Sequence, residues 1–314
     1  MMKFWPWRRF ASTDPTRNGP LLALRNDGFD SSRPLAFMHI PKTSGMSLML
    51  ALDAAFQPAT AVKGFDRFLF GTFSKFETFS PAARESVFGS AAALPQDAML
   101  ILGHFALSTL QEAYPNAQII TILRNPFVRL LSHWMYWRQY TDAMLTDVGE
   151  WGDVVRTARK PLAEFLHLPF IAPQIDNVTL RMLLWPHPLI SDDAFILAQN
   201  DETLFEAAKE RLRAISFVDI AENDQMSLNL QHWLGKTLSN ARVNETSIMP
   251  AELRTPLHQQ LTPKAHERLI ACSRLDLRLW TFVAERHLER ANIDSLRERN
   301  MLVSVARYAG LMAS

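Results

Sequence analysis

Lys42, Thr43, Ser44, Gly45, Met46 and Ser47 form one unbroken run. Lys42 supplies a mobile positive charge, Thr43, Ser44 and Ser47 supply hydroxyls, and Gly45 lets the backbone approach a ligand closely. An anion of phosphate size suits such a run. Arg124 and Ser132 make a second set, a planar guanidinium and a hydroxyl able to grip an oxyanion from two sides. His104 stands between the sets, and its ordinary pKa near neutrality suits it to proton transfer. Taken singly, each has a bland reading: a turn with a surface lysine, a structural histidine, a surface arginine, a helical serine.

The elements around these residues predict their convergence. Leu35 to Ile40 is a bounded apolar run ended by Pro41, the form of a buried parallel strand. A helix follows, with Met46, Leu48, Met49, Leu52 and Phe56 on one broad face. Its free N–H groups and dipole point positive charge into the 42–45 loop. The loop departs from the pattern G-x-x-x-x-G-K-S/T, because no glycine precedes Lys42, which counts against a nucleoside-triphosphate and Mg²⁺ site. A second strand is expected at Ala98–Leu102, before Gly103 and His104, and a third at Gln118–Leu123, before Arg124. Residues 105–116 suffice for a crossover helix, so the strand ends should share one edge and bring Lys42, His104 and Arg124 together.

Pro126 opens a helix with Phe127, Leu130, Leu131, Trp134 and Trp137 inward, and Arg129 and Ser132 are expected near one another on its surface. Asp176 is expected to N-cap a helix, and residues 201–214 form an amphipathic one. Ile215–Ile220 is a fourth strand, and Glu222 beyond it reads as a salt-bridge partner. From Thr262 the pattern is helical to about Leu296, with Leu269, Ile270, Leu277, Trp280, Phe282 and Val283 as core. The phenylalanine-rich segment 61–95 (Phe65, Phe68, Phe70, Phe73, Phe76, Phe79, Phe88) reads as an insertion, either a satellite core or a wall of an acceptor cleft, and is taken as structural; His39 is expected beneath the loop. The fold expected is a P-loop-like three-layer α/β/α domain with a central parallel sheet and helical additions. It should span residues 35–300, between a flexible leader (1–34) and a tail (301–314).

With 314 residues and a formal charge of +1, the chain has ample core and no overall nucleic-acid signature. Cys272 is alone, so no internal disulfide forms. No secretory pattern and no apolar stretch of 18 residues is present, so a cytoplasmic setting is expected. Phe4, Trp5, Trp7, Arg8 and Arg9 mix aromatic with basic side chains, suited to peripheral contact with an anionic membrane. The histidines lack metal-ligand spacing, so no metal is expected.

Two of these stretches resemble a known family. His39 to Ser47 is similar to the 5′-phosphosulfate loop of sulfotransferases that use 3′-phosphoadenosine 5′-phosphosulfate, in the branch of bacterial and Golgi carbohydrate sulfotransferases. Leu123 to Pro126, followed by Arg129 to His133, resembles that family's 3′-phosphate motif. Weaker resemblances lie at Gly103-His104, at Asp176-Asn177 through Arg181, and at Val243 to Thr246. The resemblance implies that Lys42 to Ser47 hold the 5′-phosphosulfate and that Arg124 and Ser132 hold the 3′-phosphate. It also implies that His104 is the base, that Lys42 stabilises the leaving oxygen, and that Ser47 restrains Lys42 until acceptor binds. The acceptor would be a hydroxyl of a saccharide or glycolipid, and no metal would be needed. Ser44 stands where glycine is common and Met46 where a small hydroxyl residue is common, which implies altered affinity at most. Two other readings stay open: a P-loop-type small-molecule kinase, and a non-catalytic nucleotide-binding interaction protein. Nothing in the sequence indicates an oligomeric state.

Overall fold

In the computed structural model residues 28–239, 251–254, 257–296 and 306 are described. Its strands are β1 (Leu35–Met38), β2 (Ala61–Asp66), β3 (Val87–Phe88), β4 (Leu100–His104), β5 (Gln118–Leu123) and β6 (Phe217–Ile220). All pair in parallel, in the order β3-β2-β4-β1-β5-β6. From β1 the chain moves toward β2, and from β5 it moves the opposite way to β6. The crevice beyond the carboxyl ends of β1 and β5 is therefore a topological switch point, where open sheets of this kind take ligands.

The larger helices are α1 (Gly45–Phe56), α2 (Leu107–Ala113), α3 (Pro126–Arg138), α4 (Val178–Leu184), α5 (Asp201–Arg213), α6 (Met226–Leu234) and α7 (Pro263–Ala284). Because side chains alternate across each strand, the sheet has two apolar faces. On one, Leu35, Phe37, Leu100, Leu102, Ile120 and Ile122 meet Leu52 of α1 and Leu230 and Leu234 of α6. On the other, Ala36, Met38, Ile101 and Leu123 join a larger core holding Leu110 of α2, Trp134 of α3 and Trp280 of α7. The result is a three-layer α/β/α arrangement around a parallel sheet.

Several expectations need correction. Segment 61–95 supplies two strands: buried Val62 and Asp66 alternate with exposed Ala61, Lys63 and Phe65, and the charged positions hide that period in the sequence. Its Phe70, Phe73, Phe76 and Phe79 pack edge-on around one another and Trp151, as the structural reading expected for most of the segment. β4 begins two residues later than expected, which draws His104 into the strand. Arg129 is 1% exposed, because α3 is covered on nearly every side. Ile270 is exposed on α7, which ends at Ala284 before the chain turns and becomes helical again at 290–296.

Asp176 does not cap a helix with its side chain; it is buried in an ion pair with Arg181, and Asp276 of α7 accepts from Thr179 and Leu180 N–H instead. Residues 28–34 are docked on the domain, through Phe29 N–H to Trp233 O (2.9 Å) and Gln118 Nε2 to Asp30 O (2.9 Å). The expected leader up to 27, the tail apart from residue 306, and Val243–Thr246 lie outside the described residues. No helix among the described residues is long and apolar enough to cross a membrane.

Candidate functional site

The loop after β1 is held in an unusual shape. Lys42 (φ 69°) and Ser44 (φ 67°) both occupy the left-handed region, which costs a side-chain-bearing residue on the order of 1 kcal/mol or more. The turn delivers Gly45 to the start of α1, whose N-terminus has no side-chain cap. Here the lack of a Cβ is required: one built on Gly45 would lie 2.1 Å from His39 Cδ2. His39 is thus buried beneath the helix start, as expected. Thr43 is buried, and its hydroxyl donates to Ile40 O at 2.9 Å, closing the loop instead of facing a ligand. Ser44 and Met46 are exposed and Ser47 is half-buried.

Arg124 and Lys42 are brought together. Arg124 Nη1 donates to Lys42 O at 2.9 Å, tying the turn after β5 to the loop after β1 across 82 residues. The Lys42 ammonium stands 3.8 Å from the centre of the Tyr136 ring on α3. Ser132 is buried one turn before Tyr136 and therefore shares the helix face turned to Lys42. Asn125 opens α3 by accepting from Phe127 N–H at 3.1 Å, and Pro126 pre-sets its first turn.

Glu222 is no salt-bridge partner among the described residues. It accepts from Asn125 N–H and from Trp280 Nε1–H, both at 2.9 Å, and so ties the Arg124 turn to α7. Burial raises its pKa, against those two hydrogen bonds.

His104 also joins the group. Its Nδ1–H donates to His39 O at 2.5 Å, and the two imidazole rings lie 4.4 Å apart. That hydrogen bond selects the tautomer with Nε2 unprotonated, the form a general base requires. Burial, and more weakly the Lys42 charge, pushes the pKa of His104 down to about 4 against the His39 carbonyl, well below the near-neutral value expected from the sequence. Burial likewise holds His39 and His133 well below the ordinary value.

These three depressed values predict acid lability. As pH falls below about 6.5 the unfolded chain takes up protons that the folded chain refuses, so stability present above that pH is lost toward pH 4. His104 alone accounts for about 3 kcal/mol of this loss. Urea unfolding at pH 7 and pH 5 should give a lower midpoint at pH 5 with an unchanged slope. Burial raises the pKa values of Asp66, Glu222 and Asp276, which act in the opposite sense, so the wild type is compared with His104→Gln. A drop no larger in the wild type than in the variant would mean that His104 titrates normally.

Sequence reasoning missed a row of buried polar nitrogens on α3. Asn125 Nδ2, Arg129 Nε and Nη1, and both ring nitrogens of His133 have no hydrogen-bond partner among the described residues. They fall on the helix stripe that also carries Ser132 and Tyr136, and the charges of Arg129 and Lys42 act on His133. Burial pushes Arg129 down to about 10, which still leaves it charged at neutral pH. The i, i+4 spacing of 125, 129 and 133 was the available signal, masked by the apolar residues between. Among the described residues no group of three or more His, Cys, Asp or Glu could hold a metal ion.

Fold and site together define an α/β protein with a candidate anion site at its topological switch point. No protein-family model and no curated protein matches the chain.

Proposed function

We propose that the chain is a sulfotransferase with a P-loop-like domain, moving a sulfuryl group from 3′-phosphoadenosine 5′-phosphosulfate to an acceptor hydroxyl of a saccharide or glycolipid. The observation that carries this reading is the hydrogen bond from Arg124 to the Lys42 carbonyl, which joins two cationic turns beside an uncapped helix N-terminus. A nucleotide with two separated phosphates matches two such turns; a single phosphate would need only one. His104, in the tautomer set by His39, stands beside them as the proton acceptor.

In this reaction the acceptor oxygen forms a bond to sulfur while the bond from sulfur to the bridging phosphate oxygen breaks. His104 Nε2 takes the acceptor proton. Lys42 and the N–H groups of α1 stabilise the charge that collects on the departing phosphate. No step calls on a metal, because backbone and basic side chains supply the positive charge. The setting in keeping with this donor is cytoplasmic, with peripheral membrane contact left to the basic aromatic leader.

Calorimetry with 3′-phosphoadenosine 5′-phosphate, in the absence of metal, tests the reading. The wild type should bind, and Arg124→Ala should bind about 10- to 100-fold more weakly, the loss of a charge-assisted hydrogen-bonding group. Failure to bind, with binding of ATP and Mg²⁺ instead, would replace the sulfotransferase with a kinase.

A further inference from the structure

Phe65 is the residue of the phenylalanine-rich segment whose exposure packing does not explain. Phe68, Phe70 and Phe79 are buried, whereas Phe65 is 39% exposed. It lies on β2 directly opposite His104 of β4, so the two side chains share one face of the sheet. Their ring centres are 5.3 Å apart, and on the far side of His104 the His39 ring follows at 4.4 Å. Three rings thus step across the carboxyl edge of the sheet at about one strand spacing each. The row starts beneath Gly45, where α1 presents its N-terminus, and ends in the open at Phe65.

We propose that Phe65 is the acceptor platform: its open face takes the apolar face of a hexopyranose and so fixes which hydroxyl meets His104. This rests on the sulfuryl-transfer reading, since it needs the anion at one end of the row and the proton acceptor in the middle. The His104 ring fills the step between the His39 and Phe65 rings, so a sugar seated on Phe65 has the base as its neighbour. The platform is open on one side, which suits a ring with one C–H face and a hydroxyl-bearing rim that stays wet. A phenol would require an enclosed slot that buries most of its surface. Lys63, two residues earlier on the same face, is tied to Asp53 of α1 at 2.7 Å and is thereby held against the helix.

The full-length chain, with 3′-phosphoadenosine 5′-phosphate bound, can be examined by saturation-transfer NMR. The probes are the methyl β-pyranosides of glucose, galactose, mannose and N-acetylglucosamine, with 4-nitrophenol in a parallel arm. Wild type and Phe65→Trp should transfer saturation to the C–H protons of at least one glycoside. Phe65→Ala and Phe65→Leu should lower that signal about five- to tenfold, the worth of one aromatic contact, with nucleotide affinity unchanged. A glycoside signal absent in the wild type, or equal in Phe65→Ala, overturns the platform while nucleotide binding stands. A Phe65-dependent signal from 4-nitrophenol alone overturns the choice of a sugar. Loss of nucleotide binding in the wild type overturns the sulfuryl-transfer reading itself.

Discussion

If the proposed sulfuryl transfer is the reaction, substituting His104 by alanine or glutamine should lower its kcat by about 10²- to 10⁴-fold, the span that one positioned general base contributes. Affinity for 3′-phosphoadenosine 5′-phosphate stays within a few-fold in the glutamine variant, whose amide can still donate to His39 O. The pH profile separates a base from a packing residue. With its pKa pushed down to about 4, His104 is unprotonated throughout the neutral range in the free protein. The acid limb of kcat/KM for the sulfuryl donor should therefore fall near pH 4, well below the ordinary histidine range. A bound anion beside the imidazole favours its charged form, so the limb in kcat should lie higher than the limb in kcat/KM. Full turnover in the glutamine variant would remove His104 from the chemistry. Coincident limbs near 6.5 would mean that desolvation does not depress the pKa of this half-buried imidazole.

Convergence of Lys42, His104 and Arg124 was legible because parallel strands place their carboxyl ends along one edge, whatever lies between them in sequence. Leu35–Ile40 and Gln118–Leu123 announced their strands as uninterrupted apolar runs. β2 did not, because Lys63, Gly64 and Asp66 interrupt the apolar pattern, and its partners β4 and β3 are needed to make it a strand. The same oversight hid Phe65, whose position opposite His104 is a fact of register and not of spacing. Thr43 looked like one more hydroxyl for an anion until the loop geometry turned it inward to Ile40. Arg129 differs for a related reason: charge suggests the surface, whereas α3 is covered on nearly every side, with the Asp276 carboxylate of α7 acting on the guanidinium. Local sequence carries the period of an element. Which of its faces remains in water depends on elements far along the chain.

Arg181 shows how a motif residue can matter without touching a ligand, and its loss should be among the most damaging single changes. Its guanidinium is 3% exposed and makes four hydrogen bonds: Nε to Asp176 O, Nη1 to Ser191 O, and Nη2 to both Asp176 Oδ2 and Ala194 O. Asp176 also accepts from Ile196 N–H at 2.8 Å, so one ion pair fastens α4 to the 191–196 segment. Arg181→Ala would strip the carboxylate of its counter-charge and leave three carbonyls, those of Asp176, Ser191 and Ala194, without the donor they have in the wild type. The expected cost is about 3–5 kcal/mol, a large part of the stability of an ordinary domain. Arg181→Lys keeps the charge but cannot span four acceptors from one planar group, and it should recover only part of that loss. The double variant Arg181→Met, Asp176→Leu should be less damaging than Arg181→Ala, because it removes both charges and refills the volume. Urea midpoints of the three proteins order the outcomes. If Arg181→Ala unfolded at the wild-type midpoint while losing nucleotide binding, Arg181 would belong to the ligand site and not to the frame that holds it.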